Sequence, residues 1–226
     1  MPTDDDNPSL ADLEAAVQRC PAHAPAWENL AFAYRSAGMK ELAAEIHEHA
    51  VRLSPRNAYA HHRCANVLSS AGRTRAAIAH LQEAVRLDPN GWFHTYRLGV
   101  ALAEAGEDAA AADCFRRYVE VVPRIGPAWM RLAQALHADG RFGEAIPAFE
   151  KAVGYCPENA GVWAALGVAY AKTDQHLRAV QAYRLSLRFD ARQPEVAFNL
   201  GVSLRALGRF EEAVAAYEEA ARIKPD

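Results

Sequence analysis

The sequence predicts an all-α fold of stacked antiparallel helical hairpins, on three observations. Prolines stand at 55, 89, 123 and 157, each 34 residues from the next, and the series resumes at Pro225 after passing Ala191. Glycines keep the same period at Gly38, Gly72, Gly106, Gly140 and Gly208, with Asp174 at the fifth place. Between these breakers the chain is rich in alanine and sets apolar residues at helical spacing, with no competing strand alternation. Two independent markers on one period define an internal repeat.

The elements follow in order. Residues 1–7 form an acidic N-terminal tail, and residues 8–23 a capping helix equivalent to half a repeat. There Leu13 and Ala16 are in phase and Pro21 stands one period before Pro55. Six repeats then occupy residues 24–57, 58–91, 92–125, 126–159, 160–193 and 194–226. In each, the glycine ends the first helix in a left-handed conformation, and the proline follows the second helix, where a missing N–H does little harm. Asp174 takes the left-handed place at modest cost. Small residues at Ala31, Ala65, Gly99, Ala133, Gly167 and Gly201 let paired helices approach closely, while Leu30, Leu98, Leu132, Leu166 and Leu200 fill the space beside them. One hairpin cannot bury its own apolar faces, whereas stacked neighbours can. Pro147 falls near the start of a second helix, where a local bend is tolerated. At Asp226 no solvating helix follows, so Val214 and Tyr217 are expected near an uncovered face. The leading expectation is a longer protein, and the alternative is self-association or partner packing through that end.

Composition narrows the function. A chain of 226 residues that is 51% hydrophobic and 23% charged is not intrinsically disordered. It contains no apolar run of the eighteen or so residues a membrane span needs, and its N-terminus is acidic where a secretory signal is basic, so a cytoplasmic location is expected. A net charge of −3 gives no general attraction to nucleic acid or to an anionic membrane, and neither is expected as a partner. Cys20, Cys64, Cys114 and Cys156 stand apart with no C-x-x-C pair and read as reduced thiols. His47 and His49, like the adjacent His61 and His62, point in different directions on a helix, so no metal and no cofactor are expected. The common phosphate-loop, dinucleotide, nucleophile-elbow and zinc-protease motifs are absent, and a non-catalytic role is expected.

Residues inside the repeat resemble the tetratricopeptide repeat pattern of W, L, G, Y, A, F, A and P. Repeat one carries Trp27, Leu30, Ala31, Tyr34, Gly38, Ala43, Ala50 and Pro55; repeat four carries Trp129, Leu132, Ala133, Gly140, Ala145, Phe149, Ala152 and Pro157. Repeats five and six match through Trp163, Leu166, Gly167, Tyr170, Ala179 and Tyr183, and through Leu200, Gly201, Leu204, Gly208, Ala213, Tyr217, Ala220 and Pro225. Repeats two and three depart at the tryptophan position, with His61 and Thr95. The resemblance implies a right-handed α-solenoid superhelix whose first helices line a concave groove.

It also implies which positions face a ligand. These hold Tyr59, His62, Arg63, Asn66, Phe93, Tyr96, Arg97, Met130, Arg131 and Gln134, with Asn29 and Asn199 as secondary groove residues. Arg63, Arg97 and Arg131 recur at 34-residue intervals. Guanidinium groups offer planar paired donors to carboxylates while Tyr, Phe and Met give apolar contact, so an extended, acidic protein segment is the expected partner of a scaffold or adaptor. The same ladder also serves simple solvation, since like charges 10 Å apart cost about 0.4 kcal/mol in water. Similarity to the chaperone-tail clamp of this family is limited to Asn66 and Arg131, because His62, Arg97 and Pro127 replace its other residues. Asn29 and Asn199 resemble rungs of the asparagine ladder found in O-linked N-acetylglucosamine transferases, but two rungs out of six do not make a ladder. Arrays of this family often precede transferase domains, so a substrate-recognition arm of a larger glycosyltransferase or sulfotransferase is the alternative reading, with a self-assembling module as another.

Overall fold

The computed structural model describes residues 8–224. The acidic tail expected over residues 1–7 lies outside the described residues, as do Pro225 and Asp226. Among the described residues the chain is all α-helix: α1 (Leu10–Arg19), α2 (Ala24–Ser36), α3 (Lys40–Leu53), α4 (Ala58–Ser70), α5 (Thr74–Leu87), α6 (Trp92–Glu104), α7 (Asp108–Val121), α8 (Gly126–Ala138), α9 (Phe142–Tyr155), α10 (Ala160–Lys172), α11 (His176–Phe189), α12 (Pro194–Ala206) and α13 (Phe210–Ile223). Two compact units divide them, one reaching to Glu107 and one beginning at Asp108, so residues 92–125 give α6 to the first and α7 to the second. Within each unit every helix packs on the next in sequence. No described helix is long and apolar enough to cross a membrane.

The turns explain why glycine recurs. Gly38, Gly72, Gly106, Gly140 and Gly208 have φ between +74° and +81°, and Asp174 substitutes at +59°. The left-handed residue brings the next amide back onto the helix, where it satisfies an orphan carbonyl. The same bond recurs in all six turns: Met39 to Tyr34, Arg73 to Leu68, Glu107 to Leu102, Arg141 to Leu136, Gln175 to Tyr170 and Arg209 to Leu204, at 2.8–3.0 Å. Several helix starts are also secured by side chains. Ser9 and Asp12 form a reciprocal capping box on α1, while Asn57 and Asn159 cap α4 and α10.

Prolines mark a second repeating bond. The indole N–H groups of Trp27, Trp129 and Trp163 donate to the carbonyl oxygens of Pro21, Pro123 and Pro157, each six residues earlier, at 2.7–2.9 Å. This ties the loop before each first helix to that helix's second turn. The leading half-repeat follows repeat rules too. The Tyr34 hydroxyl is bonded to Glu14 on α1, as the Tyr170 hydroxyl donates to Glu150 on α9 at 2.6 Å, with the same spacing of twenty residues.

Small residues control the closeness of paired helices, as the sequence suggests. Ala31, Ala65 and Ala133 are completely buried. A Cβ placed on Gly167 would sit 2.5 Å from the Tyr183 ring, and one on Gly201 would sit 2.6 Å from the Tyr217 ring. In the α10–α11 and α12–α13 hairpins the aromatic ring of the second helix rests on glycine backbone. Pro147 leaves α9 continuous and lines an apolar cleft of about 420 Å³ with Trp129, Leu132 and Leu136. Near that end of the chain, Val214 is exposed, whereas Tyr217 is half-buried against Gly201 and Phe198.

Candidate interaction surface

In the N-terminal unit, α2, α4 and α6 carry the arginines of interest. Arg63 is half-buried, and its guanidinium donates to the Glu28 carboxylate at 2.8 Å, joining α4 to α2. Arg97 donates from Nε to the Asn66 side-chain oxygen at 2.9 Å, joining α6 to α4. Arg35, in the last turn of α2, lies 4.9 Å over the Phe32 ring. Among the described residues neither Arg35 nor Arg97 meets a carboxylate. On the second helices Arg86, Arg116, Arg184 and Arg222 hold acidic side chains at 2.5–2.9 Å, while among the described residues Arg52, Arg75, Arg117 and Arg188 meet none.

Tyr59 is exposed in the first turn of α4, and Phe93, Tyr96 and Asn66 are half-buried. Tyr59, Arg63 and Asn66 come together at one recess with Phe32, Arg35 and His47. His62 differs from its expected role as a ligand contact. It is buried, its Nδ1 lies 3.0 Å from Nδ1 of His94, and its ring meets the edge of Phe93, so it supports the surface from beneath. Burial, with His94 and then Arg97 nearby, holds the His62 imidazole down at about 4, so it is neutral at neutral pH. His94 is lowered by burial against the opposing pull of Asp88.

Beside this pair stands another. His61 Nε2 lies 3.1 Å from the Pro55 carbonyl oxygen, which can only accept, so this nitrogen carries the proton. Its Nδ1 then accepts from Nδ1–H of His80 at 3.0 Å. Among the described residues no three His, Cys, Asp or Glu side chains converge as a metal site. Cys64 and Cys114 are buried, and burial raises their thiols to about 12 and about 11, which leaves them protonated and unreactive.

In the C-terminal unit, α8 carries Met130 half-buried and Arg131 and Gln134 exposed. Of the secondary residues, Asn29 is exposed on α2, and Asn199 lines a recess of about 880 Å³ on α12 and α13 with Phe198, Val202 and Tyr217. Sequence reasoning missed Glu28, Arg35, Phe32 and His47. Phe32 and Arg35 occupy the same repeat places as Asn66 and Ser69, so the 34-residue register held a signal for them. His47 gave none, because it shares its place with Phe115, Phe149, Tyr183 and Tyr217, which are all packed between helices.

Tetratricopeptide repeat family models match residues 24–57, 65–128, 110–160, 136–200 and 194–226. The fold is similar to the crystal structure of YrrB, described as a TPR protein with an unusual peptide-binding site. The two are 20% identical over 88% of this chain and 100% of that one, with a TM-score of 0.73. It is also similar to MamA from Desulfovibrio magneticus RS-1, which is 21% identical over 74% of this chain and 94% of that chain, with a TM-score of 0.68. Another crystal structure of MamA is 20% identical over 71% and 94%, with a TM-score of 0.67. No curated protein matches the chain. With a 34-residue helical hairpin, a left-handed turn in each and family matches along most of its length, the chain belongs to the tetratricopeptide repeat family.

Proposed function

We propose that the chain is a non-catalytic interaction scaffold whose first helices capture an extended, acidic protein segment, with Arg63 and Arg97 as charged contacts in the N-terminal unit and Arg131 as one in the C-terminal unit. The observation that carries this reading is the unequal pairing of arginines. Of Arg35, Arg63, Arg97 and Arg131 on α2, α4, α6 and α8, only Arg63 meets a carboxylate among the described residues, whereas many arginines of the second helices are already neutralised. An unpaired guanidinium retains donors suited to a carboxylate. Exposed Tyr59 and half-buried Phe93 and Met130 add apolar contact beside the charge. The peptide-binding site described for YrrB, a protein of similar fold, agrees with a peptide partner.

The test is a titration of the protein with a capped hexaglutamate peptide and its hexaglutamine twin. Replacing Arg63, Arg97 and Arg131 together by Ala is expected to weaken hexaglutamate binding about tenfold or more, since surface pairs contribute roughly 0.2–1 kcal/mol each. Equal affinity of parent and triple variant across a salt series would reject the assignment. A second reading, self-association through α12 and α13, is favoured by the exposure of Phe198, Phe210 and Val214 around that end of the chain. Light scattering over a concentration series tests it, and a monomer at every concentration rejects it.

A further inference from the structure

A recess of about 400 Å³ in the N-terminal unit is lined by Phe32 and Arg35 of α2, His47 of α3, and Tyr59, Arg63 and Asn66 of α4. The wall is rich in hydrogen-bond donors. Among the described residues Arg35 is engaged only by the face of Phe32, which leaves its N–H edge available. Arg63 commits one nitrogen to Glu28 and retains further donors. Asn66 has its oxygen occupied by Arg97, which leaves its amide NH₂ for another acceptor. His47 is 3% exposed, faces the recess, and has no hydrogen-bond partner among the described residues. Its nitrogens are not among the enclosed polar atoms left without a partner, so the ring opens on the recess, and it stands near two guanidiniums with no carboxylate among the described lining residues.

We propose that this recess binds a single oxyanion group, a carboxylate supplied by the captured segment, which bridges Arg35 and Arg63 and accepts a hydrogen bond from His47. The source of the carboxylate rests on the scaffold reading above; the recess and its donors do not. Phe32 and Tyr59 present exposed rings beside it, suited to the apolar part of the residue that carries the anion. The proposal gives His47 a role that its position between helices conceals: it makes the second helix of a hairpin part of a first-helix binding surface.

The imidazole also reports occupancy. Burial, followed by the fields of Arg63 and Arg35, holds His47 down at about 4. An anion between the two guanidiniums offsets their fields, so the imidazole gains its proton at higher pH.

The experiment follows the His47 ring resonances by NMR through a pH titration of the full chain, alone, with capped hexaglutamate, and with inorganic phosphate. Hexaglutamate is expected to raise the His47 midpoint by about one pH unit or more, and Arg35→Ala to abolish that rise while weakening the peptide about fivefold. Arg35 is exposed, so the variant is expected to keep the parent's circular dichroism. If hexaglutamate binds and the His47 midpoint stays put, the recess assignment is wrong and the scaffold reading survives. A midpoint moved by phosphate alone supports an oxyanion recess and overturns the peptide as its source. If hexaglutamate fails to bind anywhere, the scaffold reading falls, and the phosphate titration alone upholds or overturns the recess. A midpoint unmoved by either probe overturns the proposal.

Discussion

His61 donates its Nε2–H to the carbonyl oxygen of Pro55 at 3.1 Å, in the place where tryptophans serve three other repeats. The departure from the tryptophan pattern thus preserves the bond while exchanging an indole for an imidazole. It also adds an acceptor at Nδ1, which His80 occupies. His61→Leu should cost about 1–3 kcal/mol, because it removes the loop tie and leaves both the Pro55 carbonyl and His80 without a partner. His61→Trp should recover part of this loss by restoring the tie. Amide hydrogen exchange over α4 and the loop before it would check the order, since in a repeat array local opening is better defined than one global transition.

Much of the fold was legible because each repeat uses the same few devices. Gly38 through Gly208, and Asp174 among them, announce the left-handed turn through their own backbone preferences, and the structure places each at positive φ. The surface was harder to read. Arg63, Arg97 and Arg131 were visible from spacing, but Glu28 lies 35 residues before Arg63, and which arginines are already neutralised depends on side-chain reach across stacked helices. His62 has the register of a groove residue, yet pairing with His94 draws it inward. His47 has the register of a core aromatic, and only the recess reveals its other face.

The glycine contacts separate two kinds of cost. Gly167→Ala forces a Cβ against the Tyr183 ring and should destabilise the α10–α11 hairpin by about 1–3 kcal/mol. Gly208→Ala meets open space, and its penalty arises from φ of +74° alone, at about 1 kcal/mol. Adding Tyr183→Leu to Gly167→Ala should recover part of the first loss. Urea unfolding of the single and double variants would show this, and no such recovery is expected when Tyr183→Leu is paired with Gly208→Ala.

Acid should weaken the N-terminal unit. His47 and His62 titrate at about 4 when folded and near 6.5 when unfolded, so between these values the unfolded chain binds more protons. Stability is therefore fully present above about 6.5 and is lost as pH falls toward 4, with His80 and His94 adding in the same direction. Melting temperatures are expected to hold from pH 7.5 to about 6.5 and to fall from there to pH 4.5. Replacing His62 and His94 together by Phe and Leu should flatten the slope, and an unchanged slope would count against this origin.

Glu28 competes with any acidic partner for Arg63. Glu28→Gln removes that carboxylate while keeping the side chain's size, so hexaglutamate affinity should rise several-fold and its salt dependence should steepen. Isothermal titration at two ionic strengths reads both effects. A fall in affinity would mean that Glu28 serves to position Arg63 more than to neutralise it.

In the proposed scaffold the first-helix arginines, and not the paired ones on second helices, receive an acidic segment. The most direct measurement is the arginine Nε–H NMR spectrum during a hexaglutamate titration, with each signal assigned by single substitution. Arg63 and Arg97 should shift together with one saturation curve and Arg131 should shift as well, while Arg86, Arg184 and Arg222, already held by Glu83, Glu212 and Glu219, should stay in place. Uniform small shifts across both groups, or shifts confined to the second helices, would contradict the account.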